Sequence, residues 1–439
     1  MKTILLFGAG KSATTLIDYL GKCCAKYDWR LIVCDADLSL AQAKVAGKPS
    51  AKAISINATD EAERGQLIAS ADVVISMLPA QLHYLVATDC IRLGKHLLTA
   101  SYIDQHIKDM NEEVKNKGLL FLGEMGLDPG IDHMSAMKLI NEIKEEGGII
   151  DTFYSHCGGL VSPESDDNPW HYKITWNPRN VVTAGSAGAL FLEDGEQVRI
   201  PYSDIFKDEN NKVAIPALGE LAWYANRDSL SYIKLYGLSD VQTFIRTTLR
   251  YPAFCRGWQR LVDLQLTDTV DEQLITQFSR FDEWFEFKRK SATVKNGETG
   301  EFGQEINNQL DYLQLRNSDP LPAGAVTSAD ILQYRLEQNL KMKPHDKDMI
   351  VMLHEIGYTL NGKRQEIRSC LIAKGEDQVH TSMAKTVGLP LGIAAKLLLT
   401  GELTVRGVHV PVIQDIYNPV LAELATNGIR FNEEKKVIG

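Results

Sequence analysis

The chain has 439 residues, long for a single hydrophobic core, so two or three domains are expected. Apolar residues make up 44% and charged residues 24%, the balance of a soluble globular protein with no disorder signature. A net charge of −10 argues against a nucleic acid or an anionic membrane as partner, since each needs a basic face, but leaves room for a local basic pocket. Cys23, Cys24, Cys34, Cys90, Cys157, Cys255 and Cys370 follow no CxxC or regular spacing. They read as reduced thiols of a cytoplasmic protein, and no metal site is expected.

The N-terminus has a basic start and an apolar run from Ile4 to Ala9, but the run stops at Gly10-Lys11-Ser12, too soon for a signal peptide. It reads as a buried strand. No run reads as long enough to span a bilayer. Over the first 125 or so residues, strands are expected at Thr3–Phe7, Arg30–Cys34, Lys52–Ile56, Val73–Met77, His96–Thr99 and Leu119–Leu122. Helical stretches alternate with them (Ala13–Tyr27, Leu38–Ala46, Asp60–Ser70, Tyr84–Leu93), which predicts an α/β fold with a doubly wound parallel sheet of the Rossmann kind. After Gly130 a helix (Asp132–Glu146) leads into a mixed region of strands and turns. Residues 241–340 read as mostly helical, notably Asp271–Arg289 and Ala329–Lys341. A strand pair follows at Asp348–Gly357 and Arg364–Lys374, then a helix at Thr386–Leu399 and a tail. The domain reading is therefore 1–130 joined by about 386–439, a mixed-sheet domain from 131–240 and 341–385, and a helical insertion at 241–340.

Gly8-Ala9-Gly10-Lys11-Ser12-Ala13 follows the first strand and opens a helix, fitting GxGxxG/A with Ala13 in the last place. Gly8 suits a tight turn, Gly10 lets the backbone approach a pyrophosphate, and the helix amides face the phosphates. Asp35 ends the second strand, where an acid binds ribose hydroxyls and repels a 2′-phosphate; no arginine follows in Ala36-Asp37-Leu38. NAD is therefore expected over NADP. The competing reading makes the glycines a plain turn and Asp35 a helix cap.

Beyond this point the sequence resembles a known family over nearly its whole length. Val74-Ile75-Ser76-Met77-Leu78-Pro79, Thr99-Ala100-Ser101-Tyr102 and Gly123 to His133 (GEMGLDPGIDH) are similar to the glutamate-forming saccharopine dehydrogenases. So are Cys157-Gly158-Gly159, Tyr172-Lys173 with Trp176, Asn226-Arg227-Asp228-Ser229 and Thr248-Leu249-Arg250-Tyr251. Lys347–Met352 and Met383–Gly388 resemble the dehydrogenase half of the animal bifunctional aminoadipic semialdehyde synthase. The resemblance implies a Rossmann domain, a mixed α/β domain that forms a homodimer, and a helical insertion. It implies that saccharopine is held by Ser101, Tyr102, Asp128, Trp176, Arg227, Thr248, Leu249 and Arg250. The dinucleotide would touch Gly8, Gly10, Lys11, Ser12, Ala13, Asp35, Asn57, Met77, Leu78 and Leu127. The family's fungal NADP-using members carry arginine near Ala36, and this sequence does not.

The implied reaction oxidises the secondary amine of saccharopine by hydride transfer to the nicotinamide. Imine hydrolysis then gives glutamate and 2-aminoadipate 6-semialdehyde. Saccharopine carries three carboxylates, and a planar guanidinium binds each through paired hydrogen bonds, which suits Arg227 and Arg250. Asp128 and Tyr102 are the candidate acid/base groups. Asp132 also suits a helix N-cap, and His133 is read as a packed histidine ahead of a catalytic one. Two alternatives stand beside this reading: a carboxyspermidine or carboxynorspermidine dehydrogenase, with fewer substrate carboxylates to hold, and a dinucleotide-binding homologue that has lost turnover.

Overall fold

The structure, a computed structural model, describes residues 1–208, 211–296 and 302–438. The chain divides into two units. Unit 1 is Met1–Ile149 with Val379–Asn432; unit 2 is Ile150–Gln378 with the residues from Glu433 onward.

Unit 1 is built on strands β1 (Thr3–Phe7), β2 (Arg30–Asp35), β3 (Ala51–Ser55), β4 (Val73–Ser76), β5 (His96–Thr99) and β6 (Leu120–Leu122). A seventh, Gly407–His409, joins them in the order Gly407–His409, β6, β5, β4, β1, β2, β3, and every pairing is parallel. Residues of β1 and β4 are buried on both faces, which is why they appear in the sequence as unbroken apolar runs. Because the strands are parallel, the loops after β1, β2, β4, β5 and β6 all leave the same edge. The order reverses between β1 and β4, the switch point at which open sheets of this kind take ligands.

The helix Ser382–Thr400 is long and apolar enough to cross a membrane, which corrects the expectation that no segment would be. Most of it is buried within unit 1, where Gly388 and Gly392 pack against Leu16 and Tyr19 of the helix Thr14–Tyr27. That is the place of a core helix. The helix Ile131–Glu145, which begins just after the boundary read at residue 130, is also part of unit 1.

Unit 2 carries a ten-stranded mixed sheet. Along its main path run Lys212–Ile215, Gly219–Ala225, Thr243–Arg250, Ile149–Val161, Asp348–Leu360, Lys363–Lys374 and Asn432–Val437. Asp348–Leu360 and Lys363–Lys374 form the expected hairpin, in register from Met349↔Lys374 to Leu360↔Lys363. Two expectations fail here. Thr243–Arg250 is an interior strand rather than helix, parallel to Ile149–Val161 and antiparallel to Gly219–Ala225. It is buried on both faces, so it shows no alternation to betray it. The tail, expected to stay with the Rossmann domain, ends as a strand of the unit 2 sheet. Beyond Tyr251 helices dominate as expected, at Pro252–Asp263, Phe281–Asn296, Gln304–Tyr312 and Ser328–Asn339, but the helix expected over Asp271–Arg289 is broken, with only Glu272–Ile275 helical before Phe281. These helices close a core around the fully buried Trp170, Trp258 and Trp284.

Candidate functional site

At the carboxyl edge of β1, Gly8 has φ +99°, and a Cβ there would stand 2.8 Å from the Met77 carbonyl oxygen, so no other residue fits between the two loops. Gly10, by contrast, is exposed and has nothing within 4 Å of the place its Cβ would take. That open face, beside the main-chain amides that lead into Lys11–Ala13 and the helix Thr14–Tyr27, fits a pyrophosphate. Lys11 is exposed, Ser12 half-buried, and Ala13 is packed inward at 1% exposure. Asn57 follows β3 and turns its Oδ1 to the Thr59 amide at 3.0 Å, while Met77 and Leu78 lie half-buried after β4.

Asp35 is engaged within the protein. One carboxylate oxygen accepts from the Ala9 amide at 2.7 Å and the other from the Asp37 amide at 3.0 Å. It therefore ties the glycine loop to the end of β2. The helix cap is Asp37, which accepts from the Ser39 and Leu40 amides; the Ser39 hydroxyl first, and then these amides, hold its carboxyl below the usual range.

Ser101 and Tyr102 follow β5, and Leu127 and Asp128 sit in the loop after β6, so these four share the same sheet edge. Ser101, Tyr102 and Asp128 are half-buried, and Leu127 is buried. The main chain is cross-tied there: Glu124 N donates to Ser101 O at 3.0 Å, and Ile103 N donates to Glu124 Oε1 at 3.3 Å. Glu124 in turn meets His133 Nε2 at 2.8 Å, both groups buried, and Asp132 accepts from the Gly130 amide at 2.5 Å. His133 and Asp132 thus brace the 124–130 loop. Sequence reasoning missed His83, whose Nε2 lies 2.7 Å from Ser101 Oγ. A lone histidine opening a helix gives no signal of that partner.

In unit 2, Arg250 is 5% exposed. Its Nη1 donates to the Leu249 carbonyl at 2.7 Å, and its guanidinium carbon lies 5.4 Å from the ring centres of Tyr172 and Phe254. Its Nε has no hydrogen-bond partner, and among the described residues no carboxylate pairs with it. Burial pushes the neighbouring Tyr172 and Tyr224 phenols up, so neither supplies the missing anion. Trp176 Nε1 donates to Tyr172 Oη at 3.1 Å, and Thr248 hydrogen-bonds Tyr224. Arg250, Trp176 and Thr248 are therefore brought together. Leu249 is not: its side chain points to the opposite face, into the cluster of Leu160, Leu221 and Val351. Arg227 is exposed, with φ +52°, on a two-residue strand pairing Ala189 and Leu190.

A seven-stranded parallel sheet of this order with a glycine loop at its switch point makes unit 1 a dinucleotide-binding unit of the Rossmann class. The comparisons place it further. Residues 4–122 match the saccharopine dehydrogenase NADP binding domain and residues 126–429 the saccharopine dehydrogenase C-terminal domain. The chain is 32% identical to the saccharopine dehydrogenase (NADP(+), L-glutamate-forming) of Schizosaccharomyces pombe, over 99% of each protein. It is 31% identical to the mitochondrial alpha-aminoadipic semialdehyde synthase of Mus musculus, spanning 48% of that protein's length. The apo saccharopine dehydrogenase (L-Glu forming) of Saccharomyces cerevisiae superposes with a TM-score of 0.88 at 30% identity, covering 99% of this chain and 100% of that one. The chain belongs to the saccharopine dehydrogenase family.

These findings overturn the expected preference for NAD. The matching domain is an NADP binding domain, and the fungal relatives are named for NADP(+). The physical reason lies in Asp35. An acid at the end of β2 suggests a ribose contact, but here each carboxylate oxygen accepts from a main-chain amide, and this structural role accounts for Asp35 without a ribose contact.

Proposed function

We propose that the protein catalyses NADP-linked cleavage of saccharopine to L-glutamate and 2-aminoadipate 6-semialdehyde. The observation that carries this reading is the buried Arg250 guanidinium with no carboxylate beside it. An uncompensated buried charge is costly, and a substrate carboxylate offsets that cost by supplying the missing acceptor. Membership of the family supports saccharopine as the molecule that brings it.

When bound, NADP+ supplies the hydride acceptor that turns the substrate's secondary amine into an imine, which water then hydrolyses. The protein's part is binding, orientation and charge. Gly8 and Gly10 admit the pyrophosphate to the first loop. Arg250 holds a carboxylate, with Trp176 and Thr248 fixing the aromatic walls around it. Ser101, Tyr102 and Asp128 contact substrate at the sheet edge, and Asp128 or Tyr102 moves the amine proton.

Initial rates at 340 nm with saccharopine and NADP+, against carboxyspermidine as the rival substrate, test the reading. Turnover of saccharopine with higher catalytic efficiency is expected. No reduction of NADP+ by saccharopine, or a preference for carboxyspermidine, would sink it.

A further inference from the structure

Three side chains run in line beneath the carboxyl edge of the unit 1 sheet. Ser76 ends β4, His83 opens the helix His83–Leu93, and Ser101 follows β5. Ser76 Oγ lies 2.8 Å from His83 Nδ1, and His83 Nε2 lies 2.7 Å from Ser101 Oγ. Ser76 and His83 are buried and Ser101 is half-buried, so the line leads from the core to an accessible hydroxyl.

The Ser101 main chain is already fixed, its carbonyl by the Glu124 amide and the following loop by the Glu124 carboxylate on Ile103 N. What stays free is the rotation of its hydroxyl, and that is the atom His83 grips. A neutral imidazole donates from one nitrogen and accepts at the other. Burial keeps His83 neutral, pushing it down to about 4 against the nearby charge of Asp104, which raises it. Two proton patterns are then open. In one, Ser76 donates to Nδ1 and Nε2–H donates to Ser101 Oγ, leaving the Ser101 hydrogen free for an outside acceptor. In the other, Ser101 spends its hydrogen on Nε2. A carboxylate offers acceptors only, so a carboxylate substrate selects the first.

We infer that His83 is a positioning residue for substrate binding, which with Ser76 orients the Ser101 hydroxyl so that it donates to a carboxylate of the substrate. This rests on the proposed contact between Ser101 and saccharopine.

Two near-isosteric substitutions separate the inference from a merely structural role. His83→Gln carries an amide N–H near the place of Nε2, whereas His83→Asn ends near Nδ1 and cannot reach Ser101. With saccharopine and NADP+, Ser101→Ala and His83→Asn are each expected to raise KM for saccharopine about tenfold, with kcat changing less than about threefold. His83→Gln should stay within about threefold of the parent KM, and the double variant His83→Asn/Ser101→Ala should be no worse than either single one. Equal effects of Asn and Gln, multiplied effects in the double variant, or an unchanged KM in His83→Asn would overturn the inference. Should His83→Asn not fold, Ser76→Ala tests the same line: a KM raised a few-fold supports it, an unchanged KM overturns it. Failure of the parent protein to oxidise saccharopine would instead remove the proposed function itself.

Discussion

Charge buried without a partner is expensive, and Arg250 shows where this protein accepts that cost. Its guanidinium sits among aromatic rings, with Nε unsatisfied and no carboxylate in reach among the described residues. Arg250→Met should therefore raise KM for saccharopine by about 10- to 100-fold, the scale of a charge-assisted pair of hydrogen bonds. The same change removes a desolvated charge, so thermal unfolding should show a midpoint at or above the parent's. A variant with unchanged KM, or one that lost activity only by unfolding, would contradict this. Asp35 offers a second test at this scale. If it supports the glycine loop through Ala9, Asp35→Ala should raise KM for NADP+ about three- to tenfold as the loop loses its tie. If it chiefly repelled a 2′-phosphate, KM would fall.

Helices and strands show which features survive projection onto a sequence. The six strands of the first 125 residues were legible because each is a short apolar run between helical stretches, and they stand within a residue or so of expectation. Thr243–Arg250 was not, since a strand buried on both faces has no period of two and lies among helices in sequence. The site divides in the same way. The glycine loop is visible because backbone constraint demands particular residues, and Arg250 because its residue type suits the substrate. The Ser76–His83–Ser101 line depends on a strand end, a helix start and a loop meeting, which spacing cannot reveal. Asp35 was visible but misread, because its partners are main-chain amides with no sequence signature. Close helix packing makes a prediction of its own. Replacing a helical glycine with alanine ordinarily stabilises by about 1 kcal/mol. At Gly388 a Cβ would stand 2.9 Å from the Leu16 backbone nitrogen, so Gly388→Ala should instead destabilise by about 1–3 kcal/mol, read from urea unfolding.

Across the whole molecule, two pairs of shifted groups, one pair in each unit, respond to acid in different pH windows. His83 and His96 belong to unit 1, and burial pushes each from 6.5 down to about 4. His96 Nδ1 accepts from the Leu120 amide at 2.9 Å, a bond that protonation would break. A folded value below the unfolded one means that acidification favours the unfolded chain, which takes up protons the folded chain refuses. Unit 1 should therefore lose up to about 1.4 kcal/mol per pH unit per histidine as pH falls from 6.5 toward 4. In unit 2, Glu355 and Asp271 carry lowered values despite the burial that opposes the shift, held down by His156 and by Lys288 and Ser328. Their contribution is complete above the ordinary values of 4.5 for a glutamate and 3.8 for an aspartate and is lost only as pH falls below them. Acid should thus weaken unit 1 first. Of the six tryptophans only Trp29 lies in unit 1, so tryptophan fluorescence follows unit 2 while circular dichroism follows both. Between pH 6.5 and 4.5 the urea midpoint seen by circular dichroism should drift downward while the fluorescence midpoint holds. In the His83→Gln/His96→Gln variant that drift should lose the slope of about two protons. A drift of equal size by both probes, unaffected by the double substitution, would place the acid-sensitive groups elsewhere.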